Sequence, residues 1–141
     1  MTVRNLNSDQ FALLEFKDRI PDPQNVMANN WMASTSVCNW IGVSCGILHK
    51  RVIALNLTSM NLRGTIPETF VNMSNLEILN LGFNQLSGQV PSSIFKISSL
   101  KIIGLSSNSL SGQIPTSIFN ISSLTTIELS NNSLSGSLPN D

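Results

Sequence analysis

Tyrosine is absent from the 141-residue sequence, histidine occurs once, and Asp, Glu, Lys and Arg together make up only 11% of it. Each shortage excludes something. With His49 as the sole imidazole there is no multi-histidine metal site, and no nucleophile stands beside it for a hydrolytic dyad. Eight basic and eight acidic side chains cancel, so the cationic surplus that binds a nucleic-acid backbone is missing; the longest basic cluster is Lys50-Arg51. The sequence lacks a run of about 18 apolar residues, so it encodes no membrane-spanning helix. Its opening residues, Met1-Thr2-Val3-Arg4-Asn5-Leu6, lack the apolar core of a signal peptide, which makes residues 1–7 a disordered stretch or a leader remnant. The phosphate-cradling G-x-x-x-x-G-K-[ST] string and the kinase strings H-R-D and D-F-G are also absent. The expectation is a non-catalytic chain without cofactor or metal. Glu77 and Glu128 read as isolated solvated carboxylates on separate strands.

Cysteine occurs twice, at Cys38 and Cys45. Zinc would need more ligands, and the spacing is not the C-x-x-C of a redox pair. A local disulfide, worth about 2.5 kcal/mol for so short a loop, and two buried thiols both remain open. A disulfide would place the chain in an oxidising compartment.

Plentiful residues tell a different story. There are 17 Asn and 22 Ser, which favour turns over helix interiors. A period of 24 residues organises the second half: residues 75–98 and 99–122 are identical at 14 of 24 positions. Val52, Leu76, Leu100 and Leu124 share one register position; Leu55, Leu79, Ile103 and Ile127 share another; Leu57, Leu81, Leu105 and Leu129 a third. Leu62, Leu86, Leu110 and Leu134 follow, then Gly64, Gly88, Gly112 and Gly136, then Pro67, Pro91, Pro115 and Pro139. The units are 51–74, 75–98, 99–122 and an incomplete 123–141.

Within a unit, apolar residues two apart, as in Leu79-Asn80-Leu81, put both leucines on one side of a short strand. Asn84, Asn108 and Asn132 stand where the chain turns inward. A buried Asn amide can bond the backbone groups a turn leaves unpaired, so the three predict a ladder through the stack. Met60 occupies that position in the first unit, which must satisfy its turn differently. One unit cannot bury its own apolar edge; stacked neighbours do it for each other. The incomplete last unit predicts an uncovered edge at Ile127, Leu129 and Leu134, a fragment of a longer protein, and a sticky chain in isolation.

These residues resemble the leucine-rich-repeat pattern L-x-x-L-x-L-x-x-N-x-L. Leu86-Ser87-Gly88-Gln89-Val90-Pro91 and Leu110-Ser111-Gly112-Gln113-Ile114-Pro115 resemble the L-x-G-x-I-P extension of the plant subclass. The resemblance implies an α/β solenoid: a right-handed superhelix with parallel strands on the concave face and a helical N-terminal cap.

Residues 8–50 supply the cap. Ser8-Asp9 can start a helix, Phe11, Leu13, Leu14, Phe16 and Ile20 give it an apolar spacing, and Pro21-Asp22-Pro23 ends it. Trp31 and Trp40 add large apolar surfaces. The string Cys38-Asn39-Trp40-Ile41-Gly42-Val43-Ser44-Cys45 resembles the cap of plant receptor-like kinases. That resemblance implies that Cys38 and Cys45 are bridged and that the chain is extracellular or on the cell surface, reached through the secretory pathway. It also implies a recognition module, a fragment of a receptor ectodomain whose kinase and membrane span lie elsewhere. Its partners would be a peptide or protein ligand or a co-receptor. Alternatives are a secreted inhibitor of the polygalacturonase-inhibiting type and a truncated co-receptor-like protein.

Strand positions not facing the core predict a ligand face: Asn56, Thr58 and Ser59; Asn80, Gly82 and Phe83; Gly104, Ser106 and Ser107; Glu128, Ser130 and Asn131. Phe83 is the one large apolar residue among them, either a binding anchor or locally packed. Four N-x-[ST] sequons occur, at Asn56, Asn72, Asn120 and Asn131. Asn72 and Asn120 fall on the outer return path and are the better acceptors; glycans at Asn56 or Asn131 would obstruct the ligand face.

Overall fold

The computed structural model describes residues 5–135. Helix α1 spans Leu6–Arg19. Asn5 caps it: Asn5 Oδ1 accepts the Ser8 amide at 3.1 Å while Ser8 Oγ accepts the Asn5 amide at 2.8 Å. The expected cap at Ser8-Asp9 is therefore corrected to Asn5, and the helix reaches into the stretch 1–7 that was expected to lie outside the fold. Residues 1–4 lie outside the described residues. Ala12, Leu13 and Phe16 are buried on the inner face, whereas Phe11 points to solvent. Helix α2 (Val26–Asn30) follows the Pro21–Pro23 turn.

Trp31 and Trp40 stack at 5.4 Å between ring centroids. Each buried indole finds an acceptor: Trp31 Nε1 donates to Ile41 O at 3.0 Å and Trp40 Nε1 to Met32 O at 3.1 Å. The Cys38–Cys45 disulfide, with Cα atoms 5.5 Å apart, ties a 3₁₀ turn (Val37–Asn39) to strand β1 (Val43–Cys45).

The repeats then stack. Strands β2 (Val52–Asn56), β4 (Ile78–Asn80), β6 (Ile102–Gly104) and β8 (Thr126–Glu128) pair in parallel, with Leu55 opposite Leu79, Leu79 opposite Ile103, and Ile103 opposite Ile127. β1 from the cap adds to the open side of β2 in the antiparallel sense, completing the order β1-β2-β4-β6-β8. A second parallel sheet was not foreseen from the sequence. Its strands β3 (Arg63–Thr65), β5 (Gln85–Gly88), β7 (Ser109–Gln113) and β9 (Ser133–Ser135) run along the other edge of the stack. Gly88 shows why glycine stands at the end of these strands. Its φ is +77°, and a Cβ there would meet Thr65 Cγ2 of the preceding unit at 2.7 Å. Pro67, Pro91 and Pro115 then precede 3₁₀ turns at Glu68–Asn72, Ser92–Lys96 and Thr116–Asn120.

Leu55, Leu57, Leu62, Leu76, Leu79, Leu81, Leu86, Leu100, Ile103, Leu105 and Leu110 are all 0% exposed. Ile127 is 36% exposed, and Leu129 and Leu134 are half-buried. Gly136 and Pro139 lie outside the described residues. Phe16 joins cap to repeats, its ring 5.1 Å from that of Phe70. Beside it Asp9, wholly buried, accepts from Arg51 Nε at 2.8 Å, from Arg51 through its second oxygen at 2.9 Å, and from the Val52 amide at 3.0 Å. This hydrogen bond and the carboxylate charge hold the Arg51 guanidinium above its ordinary pKa, against the opposing effect of burial. Among the described residues no helix is long and apolar enough to cross a membrane.

Candidate ligand-binding face

The period of two that buries Leu55, Leu57, Leu79 and Leu81 turns the intervening residues outward. Asn56 is exposed; its Oδ1 accepts the Thr58 amide at 3.3 Å and the Thr58 hydroxyl at 3.0 Å. Asn80 is half-buried and its Oδ1 accepts the Gly82 amide at 3.1 Å. Further along the sheet Ser130 Oγ donates to Ser106 Oγ at 3.2 Å, and Asn131 Nδ2 to Ser107 Oγ at 3.2 Å. Glu128 is exposed on β8. The sequence-predicted residues thus stand in register from unit to unit, with a correction at the glycines. Gly82 and Gly104 are buried. The Asn80 carboxamide lies over Gly104, whose missing Cβ would stand 2.7 Å from Asn80 Oδ1. At this point the surface is the Asn80 carboxamide and not the Gly104 backbone.

Ser59, Phe83, Ser107 and Asn131 share a register position and a left-handed backbone, with φ of 57°, 56°, 59° and 57°. The chain turns there from the strand into the Asn position. Such a φ suits Asn or Gly and strains a bulky residue. Phe83 is nevertheless 63% exposed, so most of its surface faces solvent. It carries both a backbone strain and an unburied ring.

The asparagines behind this face act across units. Asn84 Oδ1 accepts the amides of Met60 at 3.1 Å and Leu62 at 3.0 Å, and its Nδ2 donates to Leu57 O at 3.0 Å and Leu81 O at 2.9 Å. Asn108 repeats the pattern on Leu86 and Leu81, and Asn132 on Leu110 and Leu105. Each ladder residue therefore serves the unit before it as well as its own.

Sequence reasoning missed one outward row. Ala54, Ile78 and Ile102 are half-buried and Thr126 exposed; in the parallel register Ile78 lies opposite Ala54 on one side and Ile102 on the other. The signal was available, since each precedes a buried residue just as Asn56 follows one. Glu77 departs from the isolated carboxylate expected of it: Lys101 Nζ donates to its Oε1 at 3.2 Å. Near the cap, Ile47 is 93% and Leu48 96% exposed. His49 Nδ1 accepts the Arg51 amide at 3.1 Å. All four sequon asparagines, Asn56, Asn72, Asn120 and Asn131, are exposed, Asn72 and Asn120 at the ends of 3₁₀ turns away from the sheet.

The chain matches the leucine rich repeat N-terminal domain over residues 6–46 and leucine rich repeat models over 51–110 and 123–141. It is 44% identical over 75 residues to the LRR receptor-like serine/threonine-protein kinase EFR of Arabidopsis thaliana, an alignment covering 52% of this chain and 7% of that protein. The first curated relatives are likewise matched over only 7% of their length. Among solved structures, the BIR2 ectodomain from Arabidopsis thaliana is 31% identical, with a TM-score of 0.68 over 91% of this chain and 82% of that one. The PEPR1–AtPEP1 structure is 33% identical, with a TM-score of 0.85 over 95% of this chain and 19% of that one.

Proposed function

Because the chain belongs to the leucine-rich-repeat family of plant receptor ectodomains, we propose that it is an extracellular recognition segment of a receptor-like Ser/Thr kinase, performing no chemistry of its own. The cap, whose helix begins at Leu6, closes one end of the stack; the repeats from residue 51 onward offer the sheet to an extended peptide or to a co-receptor. Any kinase activity would lie in a separate domain of the parent protein.

The observation that supports this most is the registered outward surface of β2, β4, β6 and β8. It includes Phe83, a large apolar residue left 63% exposed at a repeat position that Ser59, Ser107 and Asn131 fill in the other units. An exposed aromatic ring is the kind of anchor that a partner buries. The PEPR1–AtPEP1 structure carries the same fold, and so does the plant peptide hormone receptor RGFR1, solved in complex with RGF2. A disulfide-stapled cap fits the oxidising extracellular compartment.

Two measurements test the reading. The coding sequence flanking this segment should encode a membrane span and a kinase; a closing cysteine-bearing cap followed by a stop would favour a secreted inhibitor instead. A random-peptide display selection on the chain should enrich binders that are lost when Asn80→Arg and Ser106→Arg block the sheet. Enrichment indifferent to both substitutions would overturn the assignment of the face.

A further inference from the structure

The two sheets are registered differently. In the first, partners lie 24 residues apart, as Leu55 and Leu79 do. In the second they lie 22 apart: Thr65 stands opposite Ser87, Ser87 opposite Ser109, and Ser111 opposite Ser133. A slip of two residues per unit keeps outward side chains outward, and here it sets hydroxyl beside hydroxyl. Thr65, Ser87 and Ser109 form one column, Ser111 and Ser133 a second, and Ser135 a third with Gln113. All are exposed except the half-buried Ser87. Among the described residues the hydroxyls of the first two columns bond nothing, while Ser135 Oγ donates to Gly112 O at 3.2 Å.

The surface between the columns is low. Gly88 and Gly112 carry no Cβ, and the Thr65 methyl and the Gln89 methylene lie in the gaps, each 2.7 Å from where that Cβ would stand. Arg63 is the one charged residue in these four strands, and they contain no aromatic residue. A nucleic acid or an acidic surface would need several cations. A protein contact would need an apolar or aromatic anchor, and a sugar ring an aromatic plate. What this sheet offers instead is an array of neutral hydroxyls, about 4.8 Å apart across the strands and about 6.7 Å apart along them. Oxygen rows on the prism faces of ice repeat on the same scale. Waters held by such hydroxyls are already spaced to join the crystal.

We propose that the second sheet, β3-β5-β7-β9, adsorbs to the surface of ice. The columns from Thr65 to Ser109 and from Ser111 to Ser133 supply the matching array. A crystal face covered in this way stops growing, so freezing falls below melting and the crystal becomes faceted. The inference is independent of the recognition role, which uses the other sheet.

The test follows a single ice crystal in a solution of the intact chain by nanolitre osmometry. The wild type should facet the crystal and open a gap between melting and freezing. The pair Ser109→Lys/Ser111→Lys puts a long charged side chain into each column and, folded by circular dichroism, should leave a round crystal and no gap. Should that pair fail to fold, Ser109→Ala/Ser111→Ala removes the hydroxyls without adding bulk and should narrow the gap. Asn80→Arg, on the first sheet, should facet ice as the wild type does. A round crystal with the wild type, or faceting unchanged in the folded Lys or Ala pair, overturns the proposal. Faceting lost with Asn80→Arg alone would move the activity to the first sheet and overturns it equally. None of these results bears on peptide selection by the first sheet, so the two readings fail separately.

Discussion

Asn84 completes the turn of the unit before its own: its Oδ1 accepts the amide of Met60, the residue occupying the same register position one repeat earlier, at 3.1 Å. The Met60 amide is thereby satisfied from the following unit, whatever side chain position 60 carries. Asn84 is 8% exposed, so removing its amide strands backbone groups of two units in the interior. Asn84→Ala should cost about 3 kcal/mol. Asn132, half-buried in the last described unit, should cost about half as much when changed to Ala. Urea midpoints measure both; equal costs would show that the ladder does not act through burial.

Phe83→Asn should separate stability from recognition. Asn accepts the left-handed φ of 56° with less strain, so the variant should unfold about 1 kcal/mol later than wild type. Its binding to a peptide selected on the wild-type chain should weaken. A lower urea midpoint would mean that the ring supports the fold after all.

Asp9 and Arg51 hold the cap to the first repeat through a buried two-pronged pair. Asp9→Ala removes the carboxylate from a guanidinium only 13% exposed, leaving it the Ser74 hydroxyl, and should destabilise by about 3 kcal/mol. Adding Arg51→Leu should recover part of that loss, because the half-compensated buried charge is gone. No recovery in thermal unfolding would place the cost in the Val52 amide bond instead.

Two glycines should respond differently to Ala. At Gly88 the new methyl would meet Thr65, and φ is +77°, so Gly88→Ala should cost about 1–2 kcal/mol. At Gly104 it would meet only the far end of Asn80, which can swing aside, and the cost should stay under about 1 kcal/mol. Comparable midpoint shifts would contradict the local geometry.

Secreted from plant cells, the chain should carry glycans at Asn72 and Asn120, exposed and away from the sheet, and be largely unmodified at Asn56 and Asn131. Enzymatic deglycosylation in heavy-oxygen water followed by peptide mass spectrometry reads each site. Full occupancy at Asn56 would mean that the face around β2 is covered and would move the ligand surface elsewhere.

The sequence alone determined the repeat, its strand register, the buried leucines and the asparagine ladder. All of these follow from a period of 24 and an alternation of two, and a periodic signal survives without knowledge of neighbours. Tertiary structure decided what depends on the unit next door. It alone showed that each Asn serves the unit before it and that Gly104 lies beneath Asn80. The second sheet, the Glu77–Lys101 pair and the buried role of Asp9 likewise appeared only in three dimensions. Contacts between residues 24 or 42 apart, such as Lys101 with Glu77 or Arg51 with Asp9, arise when the chain coils, and no local preference encodes them. The exposure of Ile47 and Leu48 belongs to the same class, since hydrophobicity predicts burial and only the packed fold reveals which apolar side chains it leaves outside.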